Sequence, residues 1–342
     1  MPLNLEHLIS LSDGVGIFEH AKYFTPRLDH GYCVDDVARA LILIERNQPD
    51  HDAAMDLRKT YFQFLRQAQS SDGAFINRLD VAGRWTGEPE VSDHWGRALW
   101  ALGTTFNRES DRDIAYEALQ RFELGAQNRS AYLRSMMFAA LGSAQVLEID
   151  SQNQPALALL KITANRIMNM AENVPADQKW IWPERRLTYA NAVLPEVLLL
   201  AGYYLNEPEY IATGIRLLQW LLAQESTLTH LSVTPVAGYG IGEQRQIYDQ
   251  QPIEVAALVD AGVTAYNLTG DPTWLEVVAR GNAWFHGVND SGVLMHEPDI
   301  GAGFDGLTKS GRNENSGAES TIAYLSTVDQ FERYQEDCAY VS

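Results

Sequence analysis

Gln48-Pro49-Asp50, then Tyr61-Phe62-Gln63-Phe64-Leu65, then Asp72-Gly73-Ala74-Phe75 run in one order: a proline-acid start, a segment with one apolar face, and an Asp-Gly turn into a long loop. The order recurs. Asn206-Glu207-Pro208 leads to Leu217-Leu218-Gln219-Trp220-Leu221, and Gly270-Asp271-Pro272 leads through Ala283-Trp284-Phe285 to Asp290-Ser291-Gly292-Val293-Leu294. A repeating unit that cannot bury its apolar stripe alone stacks on its neighbours. Helical hairpins stacked in a closed series gather their loops over a central cavity. Function is therefore to be sought in the loops, on one face.

Working outward, residues 34–46 (VDDVARALILIER) place apolar side chains at helical spacing, with Asp35 and Asp36 in the first turn, where acids favour the helix dipole. Residues 53–69 pair with this helix, 91–106 with 111–124, and 130–148 with 154–171. Then 191–205 pair with 208–224, 252–268 with 272–288, and 316–334 close the series against the N-terminal segment. Pro208, Pro252 and Pro272 stand at helix starts, where a missing N–H costs nothing. Turns within a pair are short, as in Asn47-Gln48-Pro49-Asp50, Asn206-Glu207 and Thr269-Gly270-Asp271. Connections between pairs are mostly long, at 70–90, 173–190, 225–251 and 289–315. This alternation predicts an inner and an outer ring of helices, an all-α (α/α)6 toroid forming one domain over residues 1–342. Short strands at 74–76 and 293–295 are expected in small β-hairpins within the loops. No linker rich in Gly, Pro or Ser interrupts the series. Each long loop feeds the start of an inner helix, whose free N–H groups and partial positive charge face the cavity.

The net charge of −19 argues against a nucleic-acid partner, which needs a basic footprint, and against polyanionic sugars such as uronates. A small neutral ligand is unaffected. Cys33 and Cys338 form no CxxC pair, so reduced thiols and a cytoplasmic location are expected. No segment reaches about 18 uninterrupted apolar residues, so no membrane partner is expected. His30, His94, His230, His286 and His296 show neither HxxxH nor HxH spacing, and there is no phosphate-binding glycine motif before a helix. No metal ion or cofactor is expected.

Five loop constellations carry the candidate chemistry. Asp29-His30-Gly31-Tyr32-Cys33-Val34-Asp35-Asp36 enters the first inner helix; capping accounts for one Asp but not for the His-Gly-Tyr lead-in. In the stretch from Arg84 to Arg97, Trp85 and Trp95 offer stacking faces, and Asp93, His94 and Arg97 share one helical turn. An N-cap with an Asp93–Arg97 ion pair at i,i+4 is the structural alternative. In the third, Glu184 lies between Trp182 and Arg185, with Tyr189 downstream; apolar packing would raise its pKa and the arginine would lower it. The fourth, Tyr248-Asp249-Gln250-Gln251-Pro252-Ile253-Glu254, offers several hydrogen-bonding groups at another helix start, or an Asp cap before Pro. The fifth runs from Met295 through Asp305 to Thr321 and is rich in glycine. Ser316 and Glu319 there fit a capping box, which gives Glu319 a structural explanation.

Three of these motifs, His30-Gly31-Tyr32-Cys33-Val34-Asp35-Asp36, Asp249-Gln250-Gln251-Pro252 and Asn315-Ser316-Gly317-Ala318-Glu319-Ser320-Thr321, carry a resemblance that spans nearly the whole chain. It resembles the six-hairpin glycosidase-like (α/α)6 superfamily, and more narrowly bacterial domains found beside glycosyltransferases and mannoside-active enzymes. The resemblance implies a carbohydrate context: a glycoside hydrolase acting on a neutral oligosaccharide or small sugar, with a neighbouring glycan-processing enzyme as a further partner. Glycosidic cleavage uses two carboxyl groups flanking the bond. Asp36, Asp93, Glu184 and Asp249 form the pool that holds the pair, and inversion is expected by analogy. Tyr32, Trp85, Trp95, Trp182, Tyr189 and Tyr239 are the stacking candidates. His30, Asp35, His94, Arg97, Arg185, Gln250, Glu254 and Asp305 are the candidates for holding hydroxyls. Two other classes stay open: a sugar epimerase or isomerase using His30 and His94 as acid and base, and a non-catalytic sugar-binding partner of another enzyme. A polysaccharide lyase fits the acidic balance less well.

Overall fold

Periodic apolar stripes and capping residues set the helix boundaries in the computed structural model, which describes residues 3–49, 52–174 and 179–338. A short α1 (Glu6–Ser10) precedes α2 (Val34–Asn47), α3 (Asp52–Ala68), α4 (Asp93–Arg108) and α5 (Arg112–Gly125). Next come α6 (Leu133–Ile149), α7 (Gln154–Glu172), α8 (Val193–Tyr204) and α9 (Pro208–Gln224). The series ends with α10 (Pro252–Thr269), α11 (Leu275–Phe285), α12 (Ala318–Arg333) and α13 (Gln335–Cys338). Asp50 of the first repeat and residues 175–178 of the 173–190 loop lie outside the described residues. None of the described helices is long and apolar enough to cross a membrane.

Several helices start two or three residues later than the apolar pattern suggests, because the chain stays extended up to the cap. Ser92 has φ −104° and ψ −160° before α4, and Tyr132 has φ −86° and ψ 130° before α6. Asp111 caps α5 by accepting from the backbone N–H of Asp113 at 3.0 Å and of Ile114 at 3.4 Å. Pro272 opens a 3-10 turn (Pro272–Trp274), capped by Asp271, and α11 begins only at Leu275. Its end at Phe285 falls short of the expected 288, because Gly287 turns the chain with φ +93°.

The short strands also fall elsewhere than expected. At 74–76, Phe75 makes only isolated bridges, to Gln69 and Glu90. The sheet instead joins Tyr32–Cys33 to Arg78–Leu79 and that pair to Trp85–Thr86, all antiparallel. In the last loop His296–Glu297 pairs with Ala302–Gly303, and Gly306–Thr308 with Gly311–Asn313. Pairings of two or three residues carry no periodicity for a sequence to show.

The chain divides into two compact units. The first is built of residues 2–163 and 316–322, the second of residues 164–315 and 323–342. In the first, α2 packs on α3 and on α4, and α4 also packs on α5 and α6. In the second, α8 packs on α9 and α10, and α10 on α11. Helix α6 is buried at every position from Leu133 to Ala144, whereas its neighbour in sequence α5 buries only the stripe Ala115, Ala118, Phe122 and Gly125. α8 is likewise enclosed from Val193 to Leu199, and α9 buries one face at Thr213, Gly214, Leu217, Leu218 and Leu221. Enclosed and striped helices alternate along the chain, as inner and outer members of hairpins must.

α4 and α6 approach backbone to backbone. A Cβ on Gly103 would collide with the carbonyl oxygen of Gly142, and one on Gly142 with that of Leu99. Backbone cannot yield as a flexible side chain does. Gly142→Ala is therefore expected to cost about 1–3 kcal/mol by overpacking. Gly14→Ala, where a Cβ meets nothing within 4 Å, serves as the control and is expected to be near neutral. Urea unfolding of both variants checks this; equal stability would contradict the close contact.

Candidate functional site

The entry to α2 is built by a forced turn. Gly31 adopts φ +65°, and a Cβ there would stand 2.5 Å from the carbonyl oxygen of Leu79. Only glycine lets the strand Tyr32–Cys33 lie against Arg78–Leu79 at this point. The strand runs straight into α2, with Cys33 as the extended cap residue. Val34 donates its backbone N–H to the carbonyl oxygen of Asn77 at 2.9 Å. Asp35 and Asp36 thus open α2 from a fixed position.

Around them the first unit assembles an acid–arginine cluster. Arg39, one turn into α2, donates through Nη1 to Asp36 Oδ1 at 2.5 Å and pairs through Nη2 with Glu319 Oε2 at 2.6 Å. Cys33 Sγ donates to the other Asp36 oxygen at 3.1 Å. Arg97 of α4 pairs through Nε with Asp35 Oδ1 at 3.0 Å, and its guanidinium lies 4.0 Å over the ring of Phe138. Asp93, at the start of α4, accepts from Ser135 Oγ at 2.7 Å. The first turns of α2, α4 and α12 each contribute a carboxylate: Asp35 and Asp36, Asp93, and Glu319. The segment before α12 is tied in by Ser316 donating its backbone N–H to the carbonyl oxygen of Tyr23, and Ala318 to that of Glu19.

Burial pushes the Asp36 carboxyl up to about 6; Arg39 pulls against that rise and Glu319 adds to it. Burial also works against the charge of Arg39, but Glu319 and Asp36 outweigh it, and the guanidinium is held more firmly charged than usual. Arg97 is shifted the other way, by burial and by the neighbouring Arg39 charge. Burial and the carboxylates raise the Cys33 thiol well above its ordinary value, so it serves as a donor to Asp36 rather than as a thiolate. Glu319 is far more open than Asp36, with 36% of its side chain exposed against 4%. The arrangement offers a protonatable carboxyl near neutral pH beside ionised groups, which suits acid–base work.

The other expected residues of this unit fall into three settings. Tyr32 stacks on Phe18 at 4.6 Å and donates to Asp13 Oδ2 at 2.6 Å. Trp95 is fully buried and donates to the carbonyl oxygen of Gly125 at 3.3 Å. Both are packing residues with no free ring face. Trp85 is half-buried and tilts against Phe64. His94 has both ring nitrogens occupied, by Ser92 Oγ at 3.0 Å and the carbonyl oxygen of Phe75 at 2.9 Å. His30 instead meets His20, Nδ1 to Nδ1, at 3.0 Å. Arg39 was not among the residues singled out from sequence, and Glu319 was read there as a capping residue. Arg39 stands at i+3 from Asp36 on the same helical face, which is the signal that would have found it.

In the second unit Gln250 is fully buried and holds four groups. Its Oε1 accepts from the backbone N–H of Val233 and from Trp284 Nε1, both at 3.3 Å. Its Nε2 donates to the carbonyl oxygen of Ile247 at 3.0 Å and to Asp290 Oδ2 at 2.6 Å. Asp290 also faces His230 Nε2 at 3.2 Å. These bonds, with the Gln250 partners, keep its carboxylate below the usual range despite the opposing effect of burial. Glu254 is buried and accepts from the backbone N–H of Ala190 at 2.6 Å, which fixes the turn into α8. Asp249 is exposed, and its carbonyl oxygen accepts from Val236 N–H. Glu184 is half-buried and accepts from Trp182 Nε1 at 3.4 Å; Trp182 itself is enclosed. Tyr239 is buried against Trp180, Arg185 and Tyr189 are exposed, and Asp305 is half-buried, its N–H bonded to the carbonyl oxygen of Asn315.

One ligand atom each from Glu19, Cys33 and Asp36 lie within 4.8 Å of one another, a spacing that would suit a metal ion. Both carboxylates are already answered by cations: Arg78 holds Glu19 at 2.6 and 2.9 Å, and Arg39 holds Asp36. With the thiol raised as well, the donors are set for arginine and hydrogen bonding rather than for a metal.

The sequence matches no protein-family model and no curated protein. Solved structures do match. The chain is similar to cellobiose 2-epimerase from Bacillus thermoamylovorans B4167 at TM-score 0.73 and 12% identity, over 98% of this chain and 96% of that one. It is similar to a family 76 glycoside hydrolase from a bovine Bacteroides thetaiotaomicron strain at TM-score 0.65 and 11% identity, over 94% and 73% of the two chains. For the cellulase Cel9M of C. cellulolyticum the figures are 0.60 and 9%, over 94% and 88%. At such identities the likeness speaks for the fold. The chain has the all-α (α/α)6 fold of the six-hairpin glycosidase-like proteins, as its hairpin order predicts.

Arg39→Met would leave the buried Asp36 carboxylate without its cation. It is expected to cost about 3–5 kcal/mol at neutral pH. The sign of the pH dependence follows from the raised pKa. Arg39 lowers the Asp36 pKa to about 6, so without it the carboxyl takes its proton at higher pH, and the loss shrinks as pH falls toward about 6 and levels off below. Urea unfolding of wild type and variant across this range checks the expectation; a loss independent of pH would contradict it.

Proposed function

We propose that this chain is a carbohydrate-active enzyme that hydrolyses a neutral oligosaccharide, with Asp36 as the proton donor. The observation that carries this reading is the enclosed Asp36 carboxyl, pushed up to about 6 yet hydrogen-bonded by Arg39 and Cys33 at the mouth of a helix. A glycosidic oxygen leaves only when protonated, and a donor titrating near the working pH does this best. Asp93 is the partner carboxylate of the proposal, held by Ser135 at the start of α4 to activate water. Glu319 acts through Arg39, and its charge helps keep Asp36 protonated. The hydrolases among the fold neighbours support this class, and inversion at the anomeric carbon is expected by analogy with toroid hydrolases.

A second reading, a sugar epimerase, is favoured by the neighbour with TM-score 0.73 and by the contact of His20 with His30, two partly exposed imidazoles. His94 is poorly placed for that role because both of its nitrogens are engaged. Binding without turnover is the third outcome, and it would make the chain a sugar-binding partner of another enzyme.

Incubation with manno- and gluco-linked neutral oligosaccharides, followed by mass spectrometry and NMR of the products, separates these readings. Hydrolysis predicts shorter products, lost by about 10²–10⁴-fold in Asp36→Asn. Because the acid must carry its proton, kcat/KM is expected to fall as pH rises through about 6. Products of unchanged mass but altered NMR spectrum, abolished by His30→Ala and retained in Asp36→Asn, would overturn hydrolysis in favour of epimerisation.

A further inference from the structure

We propose that a cleft in the second unit, lined by Trp180 and Trp220, is a separate binding site for a neutral pyranose ring of a glycan. The cleft is open to solvent, offers about 460 Å³ and is lined by Lys179, Trp180, Trp220, Gln224, Ile241 and Gly242. Small-molecule sites commonly measure about 300–1,000 Å³. None of these residues belongs to the acid–arginine cluster.

The two indoles are fixed before any ligand arrives. Trp220, on α9, donates its Nε1–H to the carbonyl oxygen of Lys179 at 3.0 Å, and Trp180 donates to that of Glu184 at 2.9 Å. Their rings meet edge-on, with centroids 5.1 Å apart. Behind them, enclosed Trp182 stacks on Trp220 at 5.9 Å and 20°, and buried Tyr239 abuts Trp180 at 5.9 Å. Both indole N–H groups are therefore spent on backbone. What the pair presents to the cleft is aromatic carbon held rigid, so little ordering entropy is lost on binding.

The rest of the lining narrows the ligand. Exposed Ile241 extends the apolar wall, and Gly242, where a Cβ would meet nothing within 4 Å, leaves the rim open. Gln224 brings an amide that both donates and accepts, and Lys179 brings an ammonium donor. A pyranose has an apolar C–H face for the indoles and hydroxyls around its edge for the amide and ammonium. Among the described residues no carboxylate lines the cleft, which suits a ring held by stacking and hydrogen bonds. A net charge of −19 on the chain disfavours an anionic sugar.

The test is a titration of the intact chain with methyl mannoside and methyl glucoside, and with glucuronate for comparison, following the indole N–H signals by NMR. Saturable shifts of Trp180 and Trp220 are expected with a neutral glycoside. Trp220→Ala is expected to weaken binding by about tenfold or more. Because Trp220 also backs Trp182, Gln224→Ala provides a milder second variant, expected to weaken binding severalfold. Unmoved indole signals at saturating glycoside, wild-type affinity in both variants, or glucuronate binding as well as the neutral sugars would overturn the proposal. The readout is binding, so it stands or falls independently of turnover at Asp36.

Discussion

One guanidinium set between two carboxylates, Arg39 between Asp36 and Glu319, ties the start of α12 to the start of α2 and fixes the charge state of the cluster around it. Take the arginine away and a buried carboxylate is left to be neutralised by a proton alone. Leave it in place and Asp36 is balanced: burial raises it, Arg39 lowers it, and Glu319 raises it again. Asp36 and Glu319, far apart in the chain, meet at this one side chain.

The scaffold makes that meeting possible through small residues rather than large ones. Gly31 lets the strand before α2 lie against the carbonyl of Leu79, and Gly103 with Gly142 brings α4 and α6 into backbone contact. On that close pair stand Asp93 and its donor Ser135, one from each helix, and Arg97 with its ring partner Phe138. A looser packing of α4 on α6 would separate each donor from its acceptor. The same economy holds in the second unit, where Gln250 satisfies four groups and buried Glu254 fixes the turn into α8.

Much of the fold was legible in the sequence, because hairpin periodicity, prolines at helix starts and alternating loop lengths are local signals. The short strands were not, since pairings of two or three residues leave no pattern. Within the site, Asp36 stood out because acids, a histidine and a tyrosine crowd one helix start. Glu319 did not, because Ser316, three residues before it, offered a capping explanation, whereas in the structure its carboxylate pairs with Arg39. Trp95 and Trp182 read as stacking faces but are enclosed, and Trp220, read as part of an apolar stripe, lines the cleft. Exposure of a tryptophan depends on what packs over it from elsewhere, and no local pattern records that. Asp290 looked like a turn residue and proves to be the shared partner of Gln250 and His230.

The role proposed for Asp36 requires a carboxyl that holds its proton to near neutrality and faces a sugar. The most direct measurement is a carbon-13 NMR titration of the Asp36 carboxyl, alone and with a bound neutral oligosaccharide. A midpoint near 6 that moves when the sugar is added is the predicted result. A midpoint in the ordinary aspartate range near 4, unmoved by sugar, would contradict it.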